Sequence, residues 1–429
     1  MMLSRHETTE TRAKLILVFA FFSALFFGFV SLHFSGKFFH MILLRVSVFC
    51  FLFDVILAIS AMAYLSANYH VKKLGFKKAV ELYRLKQLIS HGLVEAGVYF
   101  QTSTESLVLV PKISLDLKND VLIVRIQNSI KFAKQLDSID ISSVLPTNLI
   151  IENSYFDKGQ NWRIFEVSSL SENDRLLIHS FENFKAETAK YGGYELFVDS
   201  KLTLDFGHFL IVGKTGSGKT YFMFSLLLQA LLKDCKIYVI DPKNSDLAQI
   251  GKLVGHFGTD IESTLGLLND FRTVINDRKK TLKELSSGYL ARDYRAYDLK
   301  PILLVFDEYA AFISRLSSKP KSVRDKVSEV VDTVVFEGRQ LGIFLICGMQ
   351  KSDASTFPTR LRDNMMFRCV LGNSEQTTLV TTFGYENIPK ISMELGQGLY
   401  MTSKTNVPKF INTPTLDFDI YNSFLSIKK

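Results

Sequence analysis

The segment Gly213-Lys214-Thr215-Gly216-Ser217-Gly218-Lys219-Thr220 constrains the fold of this chain more than any other. Four apolar residues, Phe209 to Val212, run straight into it, and an apolar stretch of helical length, Tyr221 to Leu232, follows. Strand, glycine loop and helix in this order make a P-loop nucleotide site. Glycines let backbone N–H groups turn inward and cradle a β-phosphate. The helix N-terminus adds positive potential. At this spacing Lys219 reaches the β- and γ-phosphates of ATP, and the Thr220 hydroxyl sits on Mg²⁺. A chance glycine turn before a helix is the bland alternative, and the complete spacing with both flanking elements argues against it.

From about residue 190 the sequence alternates strands with helices. Five short apolar strands stand out: Phe209–Val212, Lys236–Ile240, Ile302–Phe306, Ile343–Cys347 and Phe367–Leu371. Near-continuous apolar strands of this kind belong to a parallel sheet covered on both faces. Sites in such sheets lie at the carboxyl ends of the strands. The chemically interesting residues fall there: the glycine loop, Asp241, Asp307-Glu308 and Gln350. The run from Pro301 to Glu308 is an apolar strand ending in two acids, the form of a Walker B element. Asp307 is expected to hold Mg²⁺, with Thr220 as the second protein ligand. Glu308 is expected to be the base that polarises the attacking water. Gln350 ends the next strand and is expected to reach the γ-phosphate or the lytic water. For Lys243, pairing with an acid of the sheet edge and a purely structural role both stand.

A second constraint lies at the other end of the chain. Leu15 to Phe34 holds twenty residues without Asp, Glu, Lys or Arg, and a second apolar stretch runs from Met41 to about Leu65. An α-helix needs roughly 20 apolar residues to cross a bilayer. The pair reads as a two-span transmembrane hairpin in the cell membrane. Arg5, Arg12 and Lys14 precede it, and Lys72, Lys73, Lys77, Lys78, Arg84 and Lys86 follow it. By the positive-inside rule both termini and the ATP site face the cytoplasm. Asp54 falls mid-span, where a carboxylate is costly and faces a neighbouring helix or subunit.

These features divide the chain as follows. Residues 1–14 are a cytoplasmic tail and 15–67 the hairpin. Residues 68–105 form a basic, partly helical connector. Residues 106–189 are a small α+β domain with no evident chemistry, built on strands at Leu107–Leu117, Val121–Gln127 and Trp162–Val167 and a helix at Ile130–Leu136. The motor domain is 190–415, and 416–429 is a tail. The fold class is α/β, a RecA-like P-loop ATPase domain with a mostly parallel sheet. The four cysteines, Cys50, Cys235, Cys347 and Cys369, show no metal spacing and read as small buried residues of a reducing compartment. Net charge is +8, which favours contact with nucleic acid or anionic lipid.

Residues 195 to 402 resemble the motor domain of the FtsK/SpoIIIE DNA translocases. After the glycine loop come Val239-Ile240-Asp241-Pro242-Lys243, the helical stretch Leu267 to Arg278, and the acidic strand Leu303 to Glu308. Gly338-Arg339-Gln340-Leu341-Gly342-Ile343 and Gln350 follow, then Asn364 to Arg368 and Leu395-Gly396-Gln397-Gly398-Leu399-Tyr400-Met401. The resemblance implies a homo-hexameric ring with ATP between subunits and DNA through the bore. It makes Arg339 and Arg368 candidates for an arginine finger, against a salt-bridged surface role for each. The segment Arg315 to Lys326 carries five basic residues, and either faces DNA phosphates or is a solvated loop.

Two spans, a single motor and no long linker also resemble the FtsK-like transfer proteins of Gram-positive conjugative elements. The implied function is a membrane-anchored coupling protein that pumps DNA, largely regardless of sequence, into a conjugation channel alongside a relaxase complex. A chromosome translocase, a secretion ATPase and a non-hydrolysing membrane scaffold are the rivals. The intact Glu308 argues against the last.

Overall fold

The computed structural model describes residues 2–4, 22–23, 25–26, 37–69, 71–101, 107–118, 121–146, 149–169, 175–286, 292–384, 388, 392–405 and 407–428. The chain separates into two compact units, Met1–Ser169 and Leu170–Lys429.

In the first unit, α1 (Lys37–Tyr69) is a single 33-residue helix. Its stretch Leu44–Tyr64 has a mean hydropathy of 2.3 and is long and apolar enough to cross a membrane. It is the only such helix among the described residues, so the expected two-span hairpin is not supported. The first proposed span, Leu15 to Phe34, lies outside the described residues except for Phe22, Ser23, Leu25 and Phe26, which are helical. The Asp54 side chain also lies outside them.

The basic connector forms helix α2 (Phe76–Glu95), which opens after Gly75 at φ 81°, a left-handed backbone that favours glycine. Its apolar face, through Ala79, Leu82, Leu85, Ile89 and Leu93, packs on an antiparallel sheet. That sheet contains β1 (Ile113–Lys118), β2 (Val121–Gln127), β3 (Leu149–Phe156) and β4 (Trp162–Ser169), in the order β1-β2-β4-β3. Along β2, Leu122, Val124 and Ile126 are buried while their neighbours are half-exposed, the period-two pattern of a sheet with one covered face. The expected single strand over Leu107–Leu117 is two strands, Leu107–Leu109 and β1. The expected helix shortens to Ala133–Asp137.

The second unit is built on an eight-stranded sheet. In chain order its elements are β5 (Phe209–Gly213), α3 (Lys219–Leu232), β6 (Lys236–Ile240), α4 (Asp246–Val254), β7 (Phe257–Gly258), α5 (Ile261–Leu285), β8 (Ile302–Phe306), α6 (Tyr309–Leu316), α7 (Lys321–Leu341), β9 (Ile343–Met349), β10 (Phe367–Leu371), α8 (Gln376–Phe383), β11 (Gln397–Thr402) and β12 (Lys409–Asn412). The spatial order is β7-β6-β8-β9-β5-β10-β11-β12. All pairings are parallel up to β10, and β11 and β12 close the sheet antiparallel.

Alternate residues of one strand serve opposite cores. Leu304 and Phe306 pack with α5 and α7, whereas Leu303 and Val305 pack with α3 and α4. This double burial is why β8 reads as an unbroken apolar run. The helix Phe181–Thr188, read from sequence as the end of the small domain, buries Phe184 in this second unit. Cys235, Cys347 and Cys369 are free and buried, and burial pushes all three thiols above the usual range, Cys235 to about 12.

Candidate active site

The glycine loop joins β5 to α3. Gly216 at φ 80° and Gly218 at φ 93° take left-handed backbone, and a Cβ on Gly216 would meet open space. Thus the loop exposes its backbone on the outer side. Lys214 and Thr215 are exposed, Ser217 is buried, and Thr220 is half-buried in the first turn of α3. The Ser217 hydroxyl is buried without a hydrogen-bond partner.

The loop is braced from behind. Gly396 N–H donates to the Ser217 carbonyl at 3.1 Å, and Gly372 N–H to the Gln397 carbonyl at 2.7 Å. A Cβ on Gly218 would lie 3.1 Å from Gly396 Cα, and one on Gly372 would lie 3.0 Å from Ser217 Cβ. The late motif Leu395–Met401 therefore presses against the loop, and its glycines allow the close approach.

Lys219, Asp307 and Glu308 meet in the interior. Lys219 Nζ lies 2.5 Å from Asp307 Oδ1 and 3.1 Å from Glu308 Oε1. Their side chains are only 8%, 6% and 8% exposed. Burial opposes the lysine's charge, but Asp307 and then Glu308 more than offset it, and its pKa is raised. The Asp307 carboxyl is pushed up by burial, held down by Lys219, and pushed up further by Glu308 and Asp241. Glu308 sits at φ 50°, ψ 41°, at the start of α6. A non-glycine residue there is strained, and the turn aims its carboxylate back at the loop lysine.

Lys243 has a definite place. Its Nζ lies 3.2 Å from Glu308 Oε1. Asp241 holds that lysine's turn: its carboxylate accepts from Lys243 N–H, Ser245 N–H and hydroxyl, and Ala248 N–H. Arg315 ties the same turn by donating to the Pro242 carbonyl at 2.9 Å.

Sequence reasoning passed over Gly348. A Cβ there would collide with Asp307 Oδ1 and come within 3.1 Å of Met223 Sδ. The strand between loop and acids must carry no side chain at this point. A glycine inside an otherwise apolar strand was the available signal. It also missed Glu375, which pairs Lys351 at 2.9 Å and Lys214 at 3.8 Å, and is held below the usual carboxylate range by Lys351, then Lys214.

The remaining candidates divide. Gln350 Nε2 lies 3.4 Å from Thr215 Oγ1, at the loop. Arg368 is half-buried and donates to the Phe383 carbonyl at 3.1 Å and the Thr382 carbonyl at 3.4 Å, closing the C-terminus of α8. Arg339 is exposed in the last turn of α7, with no ion-pair partner among the described residues. The basic segment is not one loop: α7 begins at Lys321, with Pro320 before it. Lys319 lies 3.7 Å from Glu262, while Lys321, Arg324 and Lys326 are exposed.

Residues 187–340, which hold the loop, the acids and Arg339, match the FtsK/SpoIIIE family model. The chain carries an FtsK/SpoIIIE-family domain. It is similar to the FtsK domain-containing protein YdcQ of Bacillus subtilis, 32% identical over 180 residues, covering 41% of this chain and 36% of the relative. It is also similar to the DNA translocase FtsK of Pseudomonas syringae pv. tomato, 24% identical over 234 residues, covering 47% of this chain and 28% of that one. The chain spans about a third of the length of these curated relatives. Among solved structures, its fold matches the pCW3 conjugation coupling protein TcpA in monomer form with ATPγS. There the TM-score is 0.52 at 17% identity, covering 81% of this chain and all of TcpA's. These matches agree with the P-loop ATPase fold expected from sequence.

Proposed function

We propose that the chain is a membrane-anchored, ATP-hydrolysing DNA motor that acts as a conjugative coupling protein. The observation that carries the hydrolase is Lys219 seated between Asp307 and Glu308 behind an open glycine loop. Backbone N–H groups of the loop and the Lys219 ammonium bind the phosphates. Thr220 and Asp307 are the residues that would hold Mg²⁺. A hard ion that keeps several waters suits so small an oxygen set. Asp307 and Glu308 offer carboxylate oxygens that a cation can approach once Lys219 turns to phosphate. When bound with ATP, Mg²⁺ supplies counter-charge to the phosphate oxygens.

Glu308 is the general base. Lys243, on the turn that Asp241 holds, keeps the Glu308 carboxylate paired and aimed once Lys219 turns to phosphate. Gln350 senses the γ-phosphate in this reading, which its closeness to Thr215 of the loop supports. Arg339 is the better finger candidate for a neighbouring subunit of a hexameric ring, because the Arg368 guanidinium is engaged within its own subunit.

DNA as cargo is supported by the family domain, by the likeness to a DNA translocase and by charge placement. Lys321, Arg324 and Lys326 occupy the first turns of α7, where cations oppose the helix dipole. Phosphate contact gives that unfavourable placement a use. The conjugative role rests on the TcpA-like fold, and the anchor on Leu44–Tyr64.

The test is Glu308→Gln in the full chain. ATP binding should persist, and DNA-stimulated hydrolysis should fall by about 10²–10⁴, the usual contribution of a positioned base. Turnover at the wild-type rate would remove Glu308 from the mechanism.

A further inference from the structure

A cavity of about 590 Å³ opens in the first unit and shares no residue with the nucleotide site. Leu109, Val110, Ile113 and Phe132 are among its apolar lining residues. Its charged lining is one-sided: Lys86 from α2 and Lys112 from the segment before β1 both line it, no acidic residue does, and Ser90, Gln127 and Ser129 add neutral polar groups. Neither lysine has a carboxylate partner among the described residues. Lys86 is half-buried, and burial followed by the nearby Lys112 charge lowers its pKa. Two like charges facing one apolar-walled space repel each other at some cost, which an anion between them would reverse.

Tyr64 also lines the cavity. It is the last residue of the apolar stretch Leu44–Tyr64. Its ring belongs to a trio with Tyr69 and Tyr83, with centroids 5.9 to 6.4 Å apart. Lys86 Nζ lies 5.8 Å from the Tyr69 ring. Tyrosines gathered where an apolar helix ends mark the headgroup level of a bilayer. With Leu44–Tyr64 read as a span, the cavity beside Tyr64 falls at headgroup level, where its apolar lining suits acyl carbons and its two lysines suit a phosphate.

We propose that this cavity binds the headgroup of an anionic phospholipid, with Lys86 and Lys112 as its phosphate ligands and Tyr64 at the acyl boundary. The inference rests on reading Leu44–Tyr64 as a membrane span. Free inorganic phosphate shares the charge chemistry but makes no use of the apolar walls.

The experiment titrates phosphatidylglycerol into the detergent-solubilised full chain, with native mass spectrometry counting bound lipid. Phosphatidylcholine and inorganic phosphate are the parallel arms. Wild type should retain phosphatidylglycerol in preference to phosphatidylcholine. Lys86→Gln with Lys112→Gln should bind roughly 30-fold more weakly, and Lys112→Gln alone roughly 5-fold. Lys112 is exposed, so the single variant keeps the test valid if the double variant unfolds. Lys77→Gln with Lys78→Gln removes equal charge from α2, the helix of Lys86, outside the cavity, and should leave binding unchanged. An equal loss in that control, or no loss in either Lys112 variant, overturns the site. Displacement of the lipid by equimolar inorganic phosphate overturns the lipid as ligand. Membrane flotation of the wild type separates the two readings: lysine-dependent lipid binding by a chain that does not float with membranes keeps the cavity and sinks the span.

Discussion

Replacing Lys219 by alanine tests the centre of the site without any nucleotide. Its ammonium is the shared partner of two carboxylates that are less than a tenth exposed. Removing one member of a buried ion pair typically costs about 3–5 kcal/mol, because the remaining charge stays buried and unpaired. Glu308 retains Lys243, and Asp307 can relieve its isolation by taking up a proton, so the lower end, about 3 kcal/mol, is expected. In a unit of this size that lowers Tm by roughly 6–12 °C. The pH dependence has a definite sign. Without Lys219, the Asp307 carboxyl lies further above its unfolded value, so the folded state binds more protons than the unfolded one in that window. Stability then falls as pH rises through it, and the deficit shrinks on acidification. Lys219→Arg keeps the charge and should lose less, and Asp307→Asn in the Lys219→Ala background should restore part of the loss. Circular-dichroism melts of the full chain in nucleotide-free buffer, near pH 5.5 and pH 8, read all four proteins. A Lys219→Ala protein melting within about 2 °C of wild type at both pH values would show that the ammonium does not hold these carboxylates.

Two further outcomes follow from the same geometry. Gly348→Ala puts a methyl group against Asp307 Oδ1. Overpacking should cost about 1–3 kcal/mol, and ATPase activity should be lost; full activity with normal Mg²⁺ dependence would show that the Asp307 position is unimportant. For DNA, Lys321→Gln with Arg324→Gln should flatten the salt dependence of binding by about two units of log–log slope. An unchanged slope would make the start of α7 a merely solvated surface.

The glycine loop was legible because its backbone conformations need glycine, which leaves a mark in sequence. The acidic strand was legible because five doubly buried residues in a row cannot hide. The partners of those residues were not. Nothing local says that Lys243 meets Glu308, since the pairing depends on β6 and β8 being neighbours in the sheet. Arg368 looked free for a neighbour because the carbonyls of Thr382 and Phe383 reach it only through the fold. The basic residues of Arg315 to Lys326 drew attention as one segment, yet Val323, Val327, Val330, Val331 and Val334 already carried the helical period of α7. For the membrane segment, apolar length alone supported a pair of spans, and among the described residues one helix of that kind is found.

The position of β9 explains how one element can serve two roles in the proposed motor. It lies between the loop strand β5 and the acidic strand β8, so Lys219 must reach across it to Asp307. That crossing requires the missing side chain at Gly348. At its carboxyl end the same strand delivers Gln350 to Thr215. At its other end it continues through Gly342, at φ 70°, directly from α7 and Arg339. Ladder pairs fix β9 on both sides, from Ile302↔Ile343 to Phe306↔Cys347 and from Phe209↔Ile346 to Val212↔Met349. Sliding it would break both ladders and turn core residues outward. Displacement is therefore confined to the ends, where Gln350 lies past the last pair and α7 begins beyond a left-handed glycine. The proposed phosphate sensor Gln350 and the proposed finger Arg339 then stand at opposite ends of one rigid strand. Linking two nucleotide sites in a ring would need no longer path than this.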